Sequence, residues 1–197
     1  MIAFLKGRLA HRDPTHVLID VNGVGYLVHI SLQTFSDIKE QENIMLHTHL
    51  SIREDAHVLF GFSSESEKKL FQQLISVNGV GPSTAIVMLS YMNSQELKSS
   101  IVREDAAALQ SIKGIGGKTA QRVIIELKDK LKKESWEDSQ PSISAGPHNT
   151  LRKEALSALL TLGLPKAAAE KSVDTVLKKS GNTITLEDLV KQALKNA

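Results

Sequence analysis

The chain has 197 residues, no cysteine, a formal net charge of +2, 41% hydrophobic and 4% aromatic residues. That length holds one large domain or two to three small ones, with cores that must be mainly aliphatic. Absence of cysteine excludes a disulfide scaffold, an iron–sulfur cluster and any thiolate zinc site. No apolar run approaches the ~18 residues of a membrane span, and no basic n-region precedes one, so a soluble cytoplasmic protein without cofactor is expected.

Residues 1–62 read as β structure. Ile2 to Leu9 and Val17 to Val21 are strand-like runs separated by His-Arg-Asp-Pro-Thr, and Asn22-Gly23 marks a turn into Tyr26 to Ile30. A brief helical link is expected near Thr34 to Lys39. Ile44, Leu46, Thr48, Leu50 and Ile52 then alternate with Met45, His47, His49 and Ser51, predicting a strand with one buried face. His57 to Phe62 supplies another strand. Five or six short strands with one helical link predict a small closed barrel, for which the OB-fold is the leading candidate.

Between the last two strands, Arg53-Glu54-Asp55-Ala56 reads as a hairpin tip with two adjacent carboxylates. Acidic residues suit turns for local reasons. Paired carboxylates also bind divalent metals or do acid–base work, but no third ligand lies nearby in sequence, and no catalytic residue is assigned. His47 and His49 share a strand face, a spacing that metals use, yet no ligand set is completed and no metal is assigned.

From Ser63 the period becomes helical. Leu70, Leu74 and Val77 mark a helix from Glu65; Pro82 suits the first turn of the next; Ser94 precedes a helix to about Val102; Glu104 to Ile112 leads into a last long one. That closing helix, Lys118 to Leu131, puts Ala120, Val123, Ile124, Leu127 and Leu131 on one face.

Two stretches of this region repeat at an offset of 35 residues. Val77-Asn-Gly-Val-Gly-Pro-Ser-Thr-Ala85 aligns with Ile112-Lys-Gly-Ile-Gly-Gly-Lys-Thr-Ala120, so Gly79, Gly81 and Thr84 match Gly114, Gly116 and Thr119, and Val80 matches Ile115. Each copy reads helix, Gly-aliphatic-Gly hairpin, helix, the helix-hairpin-helix pattern of proteins that grip nucleic acid by its backbone. Amide N–H groups at the glycine turn and at the next helix's start can converge on a phosphate, aided by the helix dipole. Such contacts carry no base information. The candidate DNA-binding residues are Asn78, Gly79, Val80, Gly81, Ser83 and Thr84 in the first copy. In the second they are Gly114, Ile115, Gly116, Gly117, Lys118, Thr119 and Arg122. Neither copy has the spacing of a dinucleotide fingerprint or a P-loop.

Residues 134–148 are polar, acidic and rich in Ser, Pro and Gly, and are assigned to a flexible linker. Residues 149–197 hold three short helical patterns: Leu151, Ala155, Leu159 and Leu162; Pro165 toward Val173, Val176 and Leu177; and Thr185 with Asp188, a capping-box pattern ahead of Leu186, Leu189, Val190 and Ala193. A three-helix bundle on a tether suits partner binding better than chemistry. The expected organisation is therefore α+β and multidomain: barrel 1–62, tandem helix-hairpin-helix 63–133, linker 134–148 and three-helix bundle 149–197. Their formal charges are −2, +4, −3 and +3, so the hairpin segment is the most basic, which fits phosphate binding, although a solvated helical face has a similar charge.

Taken in order, these parts resemble the RuvA family, the DNA-binding subunits of the bacterial Holliday-junction branch-migration complex. The resemblance covers nearly the whole chain. It is carried most specifically by Arg-Glu-Asp-Ala ahead of Leu-Phe-Gly-Phe, by Val-Asn-Gly-Val-Gly-Pro, and by Gly-Ile-Gly-Gly-Lys-Thr-Ala-Gln-Arg. It implies a non-catalytic homotetramer, single or paired face to face as an octamer, that holds a four-way junction during recombination and repair. Glu54 and Asp55 would form an acidic pin at the junction centre. The last domain, with Leu159, Leu162, Leu164, Leu186 and Leu189 as contacts, would bind RuvB, the hexameric ATPase motor; the resolvase RuvC is a further implied partner. Family members often carry lysine where this chain has Ser83 and Gly117, so fewer direct cationic contacts are expected here. Two other readings compete: a helix-hairpin-helix glycosylase-lyase using Lys118 as Schiff-base nucleophile, for whose required downstream aspartate the nearest candidate, Asp138, falls in the polar linker, and a general scaffold for a nuclease or ligase.

Overall fold

Alternating apolar residues at the start of the chain produce β1 (Phe4–Arg12), β2 (His16–Val21), β3 (Val24–Ile30), β4 (Asn43–Ile52) and β5 (His57–Phe62), with the short helix α1 (Leu32–Ile38) after β3. This is a computed structural model; it describes residues 2–139, 147–180 and 184–196, which fall into two units, Met1–Asp138 and Ser139–Ala197. The strands close into a barrel in the order β1-β2-β3-β5-β4, with β4 pairing back onto β1. Only β3 and β5 pair in parallel, the arrangement of an OB-fold-like barrel. Asn22 (φ 52) and Gly23 (φ 89) make the tight turn that sets Val21 opposite Val24. At the seam, a Cβ on Gly61 would lie 2.5 Å from Val28 Cγ1 of β3 and 2.9 Å from Leu46 Cδ1 of β4, so the close packing of these side chains over β5 needs a glycine at that position.

On β4 the predicted inward face holds for Ile44, Leu46 and Thr48, then fails: Leu50 is half-buried and Ile52 is 66% exposed. The pairing explains this. β1 accompanies β4 only as far as the Phe4–His47 pair, so beyond Thr48 the strand has β5 as its one neighbour. The end of the β4–β5 hairpin is a two-stranded ribbon projecting from the barrel, with no interior for Ile52 to enter.

Five helices follow: α2 (Glu65–Ile75), α3 (Pro82–Tyr91), α4 (Ser94–Val102), α5 (Ala106–Gln110) and α6 (Gly117–Ser139). Asn93 caps α4, one residue before the serine expected to lead into it. Its Oδ1 accepts from the N–H groups of Gln95 and Glu96 at 3.0 and 2.9 Å, and the Glu96 carboxylate accepts from the Asn93 N–H at 3.0 Å. The predicted apolar face of α6, from Ala120 to Leu131, is buried throughout. Helical backbone continues to Ser139, through the first six residues of the stretch read as linker; residues 140–146 of that stretch lie outside the described residues.

The helical core does not stop at the helices. Phe60 and Phe62 of β5 belong to it, with Phe71 of α2 packed at ring-centroid distances of 5.3 and 4.8 Å. His49 sits edge-on to the same Phe71 at 5.4 Å, and burial, then Lys68, lowers its pKa, so half of the expected histidine pair serves packing. Nearby, the buried Glu67 of α2 accepts hydrogen bonds from Ser31 Oγ at 2.5 Å and Thr34 Oγ1 at 2.7 Å, fastening α2 to the barrel's own helix.

The second unit contains α7 (Pro147–Thr161), α8 (Lys166–Ser180) and α9 (Leu186–Lys195) around a core that includes Ala155, Leu159, Val173, Val176 and Leu189. Gly163 (φ 92) turns the chain between α7 and α8, and Arg152 ties them with two hydrogen bonds to Asp174 at 2.7 and 3.0 Å. Thr185 caps α9 by accepting from the Asp188 N–H at 3.3 Å.

Candidate nucleic-acid interface

The sequence repeat is a repeat of geometry. Gly79 and Gly114 take φ of 93° and 91°, a region that disfavours any other residue. The Val80 N–H donates to the Val77 carbonyl at 3.0 Å, and the Ile115 N–H to the Ile112 carbonyl at 3.0 Å. Ala85 bonds back to Gly81, and Ala120 to Gly116, each at 2.9 Å. The equivalence extends upstream to a pair that sequence reasoning missed: Ser76 Oγ donates to the Gln73 carbonyl and Ser111 Oγ to the Ala108 carbonyl, both at 2.7 Å, closing the helix before each turn. The signal was available, since Ser76 and Ser111 keep the same offset.

Within each copy the candidate residues divide into two kinds. Val80 and Ile115 are 4% and 5% exposed; their side chains anchor the turn in the core and their amides are used inside it. Asn78, Gly79, Gly81 and Ser83, and Gly114, Gly116, Gly117 and Lys118, are exposed, with Thr84 and Thr119 half-buried. Gly81 is the N-cap of α3 and offers no side-chain cap, so the first-turn N–H groups of Ser83 and Thr84 point outward without an intrahelical partner. In α6 the same holds for Gly117, Lys118 and Thr119, one amide more than in α3, where Pro82 has none.

Charge is distributed unevenly between the copies. Residues 70–97 contain no lysine or arginine, whereas the second copy carries Lys113, Lys118 and Arg122 at positions equivalent to Asn78, Ser83 and Val87. Lys113 was absent from the expected set, although its place in the turn opposite Asn78 marks it. Farther along α6, Lys128 pairs with Glu104, whose pKa the hydrogen bond from Lys128 lowers. Arg122 does not stay with its own turn: Nη1 donates to the Asn78 carbonyl of the first hairpin at 3.0 Å. The two hairpins are thus linked directly.

Glu54 and Asp55 lie exposed at the tip of the projecting ribbon, where the Arg53 N–H closes the turn on the Ala56 carbonyl at 2.9 Å. The tip adjoins the first hairpin: Arg53 and Asp55 line one cleft with His29, Pro82 and Ser83. No group of three or more His, Asp or Glu suited to a metal occurs among the described residues. Lys118 and Asp138 stand on one helix, twenty residues and roughly 30 Å apart along its axis, which denies the lyase reading a shared pocket. In the last domain, Leu159 and Leu189 are fully buried and hold the bundle together; Leu164 and Leu186 are half-buried against it. Of the five expected contact leucines, Leu162 alone is exposed, at 60%, beside an open groove formed by Glu154, Ser157, Ala158 and Thr161.

An OB-like barrel fused to two coupled glycine hairpins defines a tandem helix-hairpin-helix protein of the DNA-backbone-binding class. Models of the RuvA N terminal domain, the SAM-like helix-hairpin-helix tandem and the RuvA C-terminal domain match residues 1–61, 71–129 and 150–197. The chain is 55% identical over 198 residues to the Holliday junction branch migration complex subunit RuvA of Cytophaga hutchinsonii, covering 99% of each. It is 46% identical to that of Flavobacterium psychrophilum, over the full length of both, and 40% identical to that of Pseudomonas putida, over 99% of this chain and 98% of the relative. The chain belongs to the RuvA family.

Proposed function

We propose that this chain binds four-way DNA junctions by their backbone, independently of sequence, and recruits the RuvB ATPase to drive branch migration, with no catalytic step of its own. Beside family membership, the observation that carries the reading is the pair of equivalent hairpins, each presenting first-turn amides and linked through Arg122. Two rigidly related phosphate grips suit a duplex arm better than a single base or a free end. Lys113 and Lys118 add charge at the second grip, while Val80 and Ile115 act as internal anchors.

Four copies in a homotetramer would present one pair of grips to each arm. The acidic tip, projecting beside the first hairpin, would then repel phosphates near the centre, favouring separated strands over continuous duplex. Leu162 and its groove are the motor-docking surface of choice, with RuvC as a further partner on family grounds. A bacterial protein with this work acts in the cytoplasm, and no helix among the described residues is long and apolar enough to cross a membrane. Titration of a synthetic four-way junction against linear duplex at fixed salt, with mass measurement of the complex, tests the proposal. Preferential junction binding by four or eight copies is the expected result; equal affinity for both DNAs would favour the general scaffold.

A further inference from the structure

The repeat is broken at one position in a way that bears on how the hairpins work. Arg122 projects from the second motif's helix, yet its Nη1 is bonded to the Asn78 carbonyl, 44 positions earlier and in the other hairpin. The equivalent residue of the first motif is Val87, which cannot return such a bond. Gly79, the next residue, is the left-handed pivot of the first turn, and a Cβ built there would sit 3.9 Å from Arg122 Nη1. The guanidinium therefore lies against the pivot of a hairpin whose own stretch, residues 70–97, has no lysine or arginine.

We propose that Arg122 is a positioning residue for the first hairpin: it pins the Asn78–Gly79 peptide so that the first turn is held at a fixed separation from the second. The two grips then meet a duplex arm as one preorganised unit, without each paying its own ordering cost on binding. A planar guanidinium suits this task because it fixes direction as well as charge. A lysine ammonium is a flexible point charge and does not reproduce that geometry. The inference rests on the DNA-binding reading above, but one of its readouts is taken on the free protein.

The test compares Arg122→Lys and Arg122→Ala with the wild-type full chain. Hydrogen exchange of the free protein is read at the Val80 amide, which the first turn holds on the Val77 carbonyl, and junction affinity is read across a range of salt. A positioning role predicts that both variants speed exchange at the first hairpin by roughly tenfold, as expected for losing a hydrogen bond to a charged group. Both should also lose junction affinity to a similar degree, with the slope of log K against log salt unchanged. Adding charge at the first hairpin by Ser83→Lys in the Arg122→Ala background should leave exchange fast and affinity below wild type. Arg122→Lys retaining wild-type affinity while Arg122→Ala flattens the salt slope by about one unit would instead make Arg122 a direct phosphate contact. That result, unchanged exchange in both variants, or full rescue by Ser83→Lys would each overturn the proposal. If wild type fails to prefer the junction, the functional reading falls, while the exchange data still report on the strut.

Discussion

Glu67 is a carboxylate with almost no water around it. Burial pushes its pKa up from 4.5, while the hydroxyls of Ser31 and Thr34 pull the other way. As pH rises above about 4.5, the unfolded chain gives up this proton before the folded chain does. Stability from this group is thus complete below the unfolded pKa, falls as pH rises through the folded value, and stays lower beyond it. Glu67→Gln keeps an oxygen acceptor and removes the titration. Thermal melts from about pH 4 to 8 should show wild type losing stability relative to the variant as pH rises through that window, with the variant at least as stable at neutral pH. Parallel curves would assign the pH dependence to other groups.

At the scale of the element, each hairpin joins a left-handed glycine pivot to a buried anchor, and these fail differently. A side chain at residue 114 would meet nothing within 4 Å. Gly114→Ala should therefore cost only the backbone penalty of a left-handed residue, roughly 1–2 kcal/mol in urea unfolding. Ile115→Ala removes a buried side chain and should cost about 2–5 kcal/mol. If Ile115→Ala proves the milder change, the side chain is not the anchor its burial indicates.

These turns were legible because a left-handed pivot admits almost only glycine, so the backbone writes itself into the sequence and the repeat makes it visible. The barrel strands were legible for a similar reason, since a half-buried strand alternates. What pattern cannot convey is which neighbour completes an element. Leu159 of α7 and Leu189 of α9 each follow the spacing of their own helix, but only the packed bundle shows that both turn into one shared core. Ile52 continues its alternation after β1 has ended. Arg122 stands beside a motif of its own and reaches another, a contact local spacing does not encode.

At the scale of the whole molecule, the acidic tip stands beside the first hairpin, and under the proposed function its repulsion of phosphates would set the preference for a branched substrate. Glu54→Gln with Asp55→Asn removes charges that are exposed at the tip, so the fold should be unaffected. Affinity for linear duplex should rise by several-fold at low salt, narrowing the preference for a junction, with the difference fading as salt screens the tip. Gel shifts on both DNAs at two salt concentrations check this. No change in duplex affinity would return the two carboxylates to the ordinary chemistry of a turn.

The last strand of the barrel, whose Phe60 and Phe62 complete the helical core, makes the covalent order of the chain a poor guide to where it can be cut. The match to the RuvA N terminal domain ends at residue 61, between those two phenylalanines. A fragment ended there would carry a closed barrel with an apolar wall facing water, and the helices would lose the other half of their floor. Inheritance of these parts as interchangeable modules is therefore constrained: a barrel exchanged from a distant relative must bring a last strand that fits the recipient's α2, or neither half melts cooperatively.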